Sequence, residues 1–243
     1  MDVIKVNATD STNSLAREMF KDNPKMPATC VVAKVQIKGR GQRGTDWVSQ
    51  TGQNLTFSII FPEPDVPVTH QFLLSASVAT SIVNALQKFN VPKLKIKWPN
   101  DIMAGNYKVG GILIENVISE GNLAISIIGI GLNVNQTEFE NLPHAGSLKL
   151  VTGMHFTLEE LLHQLLASIE ENLRNLNSKK ADLIINSFEK WLFRLRVPST
   201  FQLLDNSFFT GIIEGVSDAG KLVVRVENDN LQEFDLKEVK LCY

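Results

Sequence analysis

Between residues 69 and 89 the apolar positions Phe72, Ala76, Ala79, Val83 and Leu86 step by 4, 3, 4 and 3, which places them on one face of a long helix. A shorter run, Leu15, Ala16, Met19 and Phe20, follows the N-cap types of Asp10-Ser11-Thr12-Asn13 and predicts a helix over residues 12–21. Two more helices are expected, at 158–176, opened by a capping box of Thr157 and Glu160, and at 179–195, stopping before Pro198. Elsewhere the apolar runs are short and β-rich. Residues 3–6, 30–37, 54–61, 93–98, 109–117 and 123–134 read as strands. In the fourth, Lys93, Lys95 and Lys97 fall on one face and Leu94, Ile96 and Trp98 on the other. Ser119-Glu120-Gly121-Asn122 has the composition of a hairpin turn between the last two.

From about residue 197 the pattern changes to short alternating segments near 200–204, 208–216, 221–227 and 231–235, punctuated by Gly and Asn-Asp turns. These predict a small β barrel or sandwich that leans on the rest of the chain, giving a division at 1–196 and 197–243. Hairpins mixed with helices indicate an α+β fold rather than a doubly wound parallel sheet. The longest apolar stretch, residues 122–132, is short of the ~20 residues a membrane span needs and contains two glycines. The first six residues lack the pattern of a signal peptide.

Composition narrows the partners. With 24 Lys and Arg against 26 Asp and Glu over 243 residues, the formal charge of −2 argues against duplex DNA or an anionic membrane held by bulk electrostatics. Cys30 and Cys242 are far apart in sequence, so neither a disulfide framework nor a zinc site is expected, and the compartment is a reducing cytoplasm. His70, His144, His155 and His163 fall in expected loops and helices, away from the glycine-rich segments, and form no Ser-His-Asp or Cys-His arrangement.

Four segments carry chemistry. Gly39-Arg40-Gly41-Gln42-Arg43-Gly44 offers two guanidinium forks suited to carboxylate or phosphate on a backbone free to approach an anion, or simply a solvated loop. Lys97-Trp98-Pro99-Asn100-Asp101-Ile102 ends a lysine-studded strand in a turn that Asp101 would cap; spacing assigns no metal ligand, and Asp101 is a candidate only for magnesium brought in with a phosphate. In Lys108-Val109-Gly110-Gly111-Ile112-Leu113-Ile114-Glu115 a glycine pair within a strand marks a bulge or a place of close approach. In Gly129-Ile130-Gly131-Leu132-Asn133 the two glycines share a face that either floors a flat pocket or admits a packed helix, and Asn133 has a donor and an acceptor suited to a purine edge.

Together with Ser11-Thr12-Asn13 and Gln36, and with Trp47 and Gly52-Gln53-Asn54-Leu55 after the arginine loop, these segments closely resemble the biotin protein ligase family, in the family's order, over roughly residues 4–195. The resemblance implies a mixed, largely antiparallel sheet with helices, like the class II aminoacyl-tRNA synthetases, plus a small C-terminal SH3-like barrel. It also implies a two-step reaction. Biotin and MgATP give biotinyl-5′-AMP and pyrophosphate, and a lysine of a biotin carboxyl carrier domain, that of acetyl-CoA carboxylase or a related enzyme, then takes the biotin and releases AMP. The cofactor set is ATP, Mg2+ and biotin, the last as substrate.

Carried over residue by residue, the resemblance gives Arg40, Lys108 and Lys97 as catalytic cations, with Arg40 and Lys108 bridging carboxylate and α-phosphate and Arg43 and Lys97 on the other phosphates. Biotin would meet Ser11, Thr12, Asn13, Gln36, Arg40, Gly41, Gln42, Lys108, Gly110, Gly111, Leu113, Gly129 and Gly131, while Trp47, Asn100 and Asn133 would serve the nucleotide. Gln42 departs from the family, many members of which have arginine there to hold the intermediate. A lipoate ligase is the nearest rival, but its Arg-Arg-x-Ser-Gly-Gly-Gly motif is absent. A bifunctional ligase and biotin-operon repressor needs a helix-turn-helix domain ahead of the Ser11 motif, so no DNA partner is expected, and the charge and short apolar runs give no membrane partner either. Family members often dimerise through the sheet edge, which leaves a homodimer open.

Overall fold

The computed structural model describes residues 1–243, with the Arg43 side chain outside the described residues. The strands of a main sheet are β1 (Asp2–Thr9), β2 (Thr29–Gln36), β3 (Leu55–Pro62), β4 (Leu94–Lys97), β5 (Asp101–Ala104), β6 (Tyr107–Ser119) and β7 (Asn122–Leu132), in spatial order β1-β2-β3-β7-β6-β5-β4. β1 and β2 run parallel and are joined by α1 (Thr12–Asp22), whereas the remaining pairings described in this sheet are antiparallel. Glu120 and Gly121, both at positive φ, make the tight turn between β6 and β7. The expected α+β class is the observed one.

Helices α2 (Phe72–Gln87), α3 (Leu148–Thr152), α4 (Leu158–Arg174) and α5 (Ala181–Glu189) follow. β8 (Pro198–Leu203), β9 (Phe208–Val216), β10 (Leu222–Arg225), β11 (Leu231–Phe234) and β12 (Val239–Cys242) form a second, antiparallel sheet ordered β11-β10-β9-β8-β12. No helix among the described residues is long and apolar enough to cross a membrane.

Four local expectations need correction. α2 buries residues all round rather than on one face, because it is enclosed by the main sheet, α4 and α5, and its Ser81 hydroxyl and carbonyl are satisfied by Ser77, Asn172 and Ser168. Thr157 is the N-cap of α4, but no capping bond from its side chain is seen among the described residues. The last expected helix stops at Glu189, since the next residues satisfy the open edge of β4: Ile96 N donates to Trp191 O at 2.7 Å and Phe193 N to Ile96 O at 2.8 Å. Asp101, read as part of a turn, opens the short strand β5 instead.

Alternation along β3 and β7 builds the platform for the site. Phe57, Ile59, Ile128 and Ile130 enter the main core, while Ile60, Ile125 and Ile127 face the other way, into a smaller core with Ala16 of α1. Further along that second face the same strands change character, and Ser58 and Thr56 stand in register with Gly129 and Gly131. An apolar seat for the body of α1 thus becomes a polar, side-chain-free floor beneath its N-terminus.

Candidate active site

A cavity of about 260 Å³ lies over this floor. Ser11, Thr12, Asn13, Gln36, Arg40, Gly41, Gln42, Trp47, Lys97, Asn100, Lys108, Gly111, Leu113, Gly129 and Gly131, all expected site residues, line it.

At one end the start of α1 is locked by hydrogen bonds. Thr12 N donates to Gln36 Oε1 at 2.8 Å, and the Ser58 hydroxyl donates to Asn13 Oδ1 at 2.6 Å while lying 2.7 Å from the Thr12 hydroxyl. Asn13 Nδ2 donates to Glu115 Oε2 at 2.8 Å, which fixes the flip of its amide. The same carboxylate lies 3.4 Å from Arg40 Nη2 and 3.5 Å from Arg17. Glu115 therefore ties strand, helix and arginine loop together. A side chain on Gly129 would overlap the Asn13 amide, so glycine is what lets α1 come this close.

The arginine loop is a small hairpin rather than an open tether. Arg40 pairs with Asp46, Gly41 N donates to Thr45 O at 2.6 Å, and Trp47 N donates to Gly39 O at 2.9 Å. Gly39 and Gly41 are packed against this hairpin's own atoms, and Gly44 alone among its three glycines takes a positive φ, +77°. The loop lays Trp47 on Gly131, where a Cβ would overlap the indole, and the buried indole Nε1 finds no acceptor among the described residues.

Cations gather at the other end. Lys108 Nζ lies 2.6 Å from Asp101 Oδ1 and 5.9 Å from the Trp47 ring centroid. Lys97 Nζ faces the Tyr243 ring. Burial holds the Lys97 ammonium below the ordinary lysine pKa, with the positive charges of Lys108 and Lys240 adding to the effect and Asp101 opposing it. The turn beneath them is rigid: Asn100 Nδ2 donates to Ile112 O at 2.6 Å, and Trp98 Nε1 to Gly220 O at 2.9 Å.

Two expected site residues stay outside the cavity. Gly110 packs against the Gly131 carbonyl and Leu132, and Asn133 is buried with its Nδ2 donating to Gly146 O at 3.0 Å. Gly110 serves strand packing, and Asn133 anchors the 146 loop through Nδ2 while its buried Oδ1 has no partner among the described residues. The Arg43 side chain lies outside the described residues. Sequence reasoning missed Phe193 and the second-sheet residues Ile213, Leu222, Val239, Lys240 and Leu241, which complete the wall. It also set His144 apart, whereas its ring stands 5.0 Å from that of Tyr243. The glycines beside Ile213 and Leu222 read only as turn punctuation of the second sheet, and tertiary packing alone brings these residues in.

A mixed sheet with a glycine floor and converging cations makes a pocket suited to an anionic ligand. Residues 6–133, more than half of the chain, match the biotin/lipoate A/B protein ligase family, and the chain belongs to that family. It is 28% identical over 237 residues to the bifunctional ligase/repressor BirA of Bacillus subtilis, covering 95% of this chain and 71% of that one. Over 223 residues it is 29% identical to the biotin--[acetyl-CoA-carboxylase] ligase of Paracoccus denitrificans, covering 89% and 91%. The biotin protein ligase of Aquifex aeolicus, solved in complex with biotin and ATP, superposes with a TM-score of 0.81 at 29% identity over 99% and 98% of the two chains.

Proposed function

We propose that the protein is an ATP-dependent biotin protein ligase. It joins the biotin carboxylate to the α-phosphate of ATP, expelling pyrophosphate, and then passes the biotinyl group to a lysine amine of a biotin carboxyl carrier domain, expelling AMP. The observation that carries this reading is the convergence of Arg40, Lys97 and Lys108 on one glycine-floored cavity, in a chain aligned almost end to end with a ligase solved with biotin and ATP.

Both steps use nucleophiles of the substrates, so the protein's task is alignment and charge stabilisation. Arg40 and Lys108 hold the carboxylate and α-phosphate, Lys97 the remaining phosphates. Gln36 suits the biotin end: Thr12 takes its Oε1 and leaves its Nε2 donors for the ligand. Gln42 and Trp47 close over the intermediate and keep water from the mixed anhydride. Asp46 and Asp101 are the carboxylates lining the cavity, Asp101 is committed to Lys108, and no described group of three His, Cys, Asp or Glu is placed to hold a metal. Magnesium accordingly enters as part of the MgATP substrate, ligated mainly by phosphate oxygens. In this reading residues 1–196 form the catalytic unit and residues 197–243 a small β appendage that walls the nucleotide end. Two free cysteines fit a cytoplasmic site of action.

Transfer of labelled biotin to an apo carrier domain, in the presence of ATP, tests the reading. ATP-dependent labelling of one carrier lysine is expected, and activity with lipoate but not biotin would overturn it.

A further inference from the structure

Lys97 ends β4 with its ammonium 4.3 Å from the centroid of the Tyr243 ring. That ring is wedged edge-on against Phe193, with centroids 5.2 Å apart, and tilts against His144 at 5.0 Å. Both supports are pinned by backbone bonds around the site, Phe193 N to Ile96 O at 2.8 Å and Lys108 N to His144 O at 2.7 Å. Asp101 is engaged by Lys108, and no hydrogen bond from Lys97 Nζ is seen among the described residues. An ammonium without a paired anion is held in one place by an aromatic face, and such contacts strengthen on desolvation.

We infer that Tyr243 is a positioning residue whose ring fixes Lys97 Nζ at the phosphate end of the cavity. The inference rests on the proposed ATP-dependent reaction and assigns the appendage a specific part in it. The groups acting on Lys97 are Asp101 of β5, Lys108 of β6, Lys240 and Cys242 of β12, and Tyr243 itself. Losing the ring removes a face that favours the charged form, and an apolar replacement leaves the ammonium desolvated, so its pKa falls further below that of an ordinary lysine.

The test uses the full chain with Tyr243→Phe, Tyr243→Leu and Tyr243→Met. Competitive acetylation of Lys97 against pH, read by peptide mass spectrometry, reports the ammonium without any need for activity, and biotin-dependent ATP–pyrophosphate exchange reports KM for ATP. Leu and Met should raise that KM about tenfold and move the Lys97 labelling midpoint to lower pH, while Phe should match the parent in both. A parental midpoint in a folded Leu or Met variant, or a Phe variant that behaves like Leu, would overturn the assignment. If the parent shows no exchange while labelling still follows the ring, the proposed function falls and the positioning contact stands.

Discussion

The ammonium of Lys108 lies 2.6 Å from Asp101 Oδ1, so the cation proposed to meet the α-phosphate is aimed by a carboxylate on the neighbouring strand. Lys108→Ala should cut adenylation by at least about 10²-fold, the usual cost of losing a preorganised charge-stabilising donor. Asp101→Asn keeps the cation but frees it, and should cost only about tenfold, mostly in kcat. Pyrophosphate exchange measures both; equal losses would show that Asp101 does more than aim.

Gln42 opens the short turn of the arginine loop, its carbonyl accepting from Thr45 N at 3.2 Å, and it lines the cavity. Gln42→Gly should speed escape of biotinyl-adenylate, and Gln42→Arg should slow it by adding a charge. Gel filtration of enzyme carrying labelled intermediate gives the escape rate, and identical retention in all three proteins would remove Gln42 from the retention device.

Gly129 and Gly131 meet the Asn13 amide and the Trp47 indole with no room for a methyl group. Each alanine substitution should destabilise by about 1–3 kcal/mol, as expected for overpacking. The ligand effects should differ: Gly129→Ala should weaken biotin binding, whereas Gly131→Ala, by lifting Trp47, should weaken ATP binding more. Thermal melts and calorimetric titration with each ligand separate the two.

Burial depresses the Lys97 pKa in the folded protein. Since the cation is the useful form, adenylation should decline on the alkaline side earlier than an ordinary lysine would allow. Stability runs the other way. Between the lowered folded pKa and the unfolded one the unfolded chain binds more protons, so this group's contribution to stability rises with pH across that window. Lys97→Met should abolish both trends, as read from rate profiles and melts at matched pH.

Trp98 reaches from the end of β4 to the Gly220 carbonyl, between β9 and β10 of the second sheet. Trp98→Phe keeps the ring but leaves that carbonyl unpaired, and should cost about 1–2 kcal/mol. The loss should appear with a higher KM for ATP and an unchanged KM for biotin.

The parts of the site legible from sequence were those in which backbone conformation and chemistry share a short segment. The arginine hairpin, the Lys97–Asp101 turn and the β7 glycines announce themselves through Gly, Pro and Asn. Glu115 was in view without a role, because its partners Asn13 and Arg40 are distant in sequence. Phe193 and Lys240 were invisible for a related reason: nothing local distinguishes a turn residue after α5 or a strand residue of the second sheet from one that the fold carries to a cavity. Gly110 shows the converse, a motif residue that packs against a neighbouring strand, while Asn133 anchors the 146 loop through Nδ2 and keeps a buried Oδ1 with no partner among the described residues. For α2 the one-face period was real, but the positions between its apolar residues are small or apolar enough to be enclosed as well.

The alternation along β7 binds durability to chemistry. Ile128 and Ile130 point into the main core while Gly129 and Gly131 point at the ligand slot. A single-residue insertion or deletion within this strand would therefore exchange the two sets, filling the slot with isoleucine and hollowing the core with glycine at once. Drift in this strand should proceed by substitution alone, because no change of length can spare one property at the expense of the other.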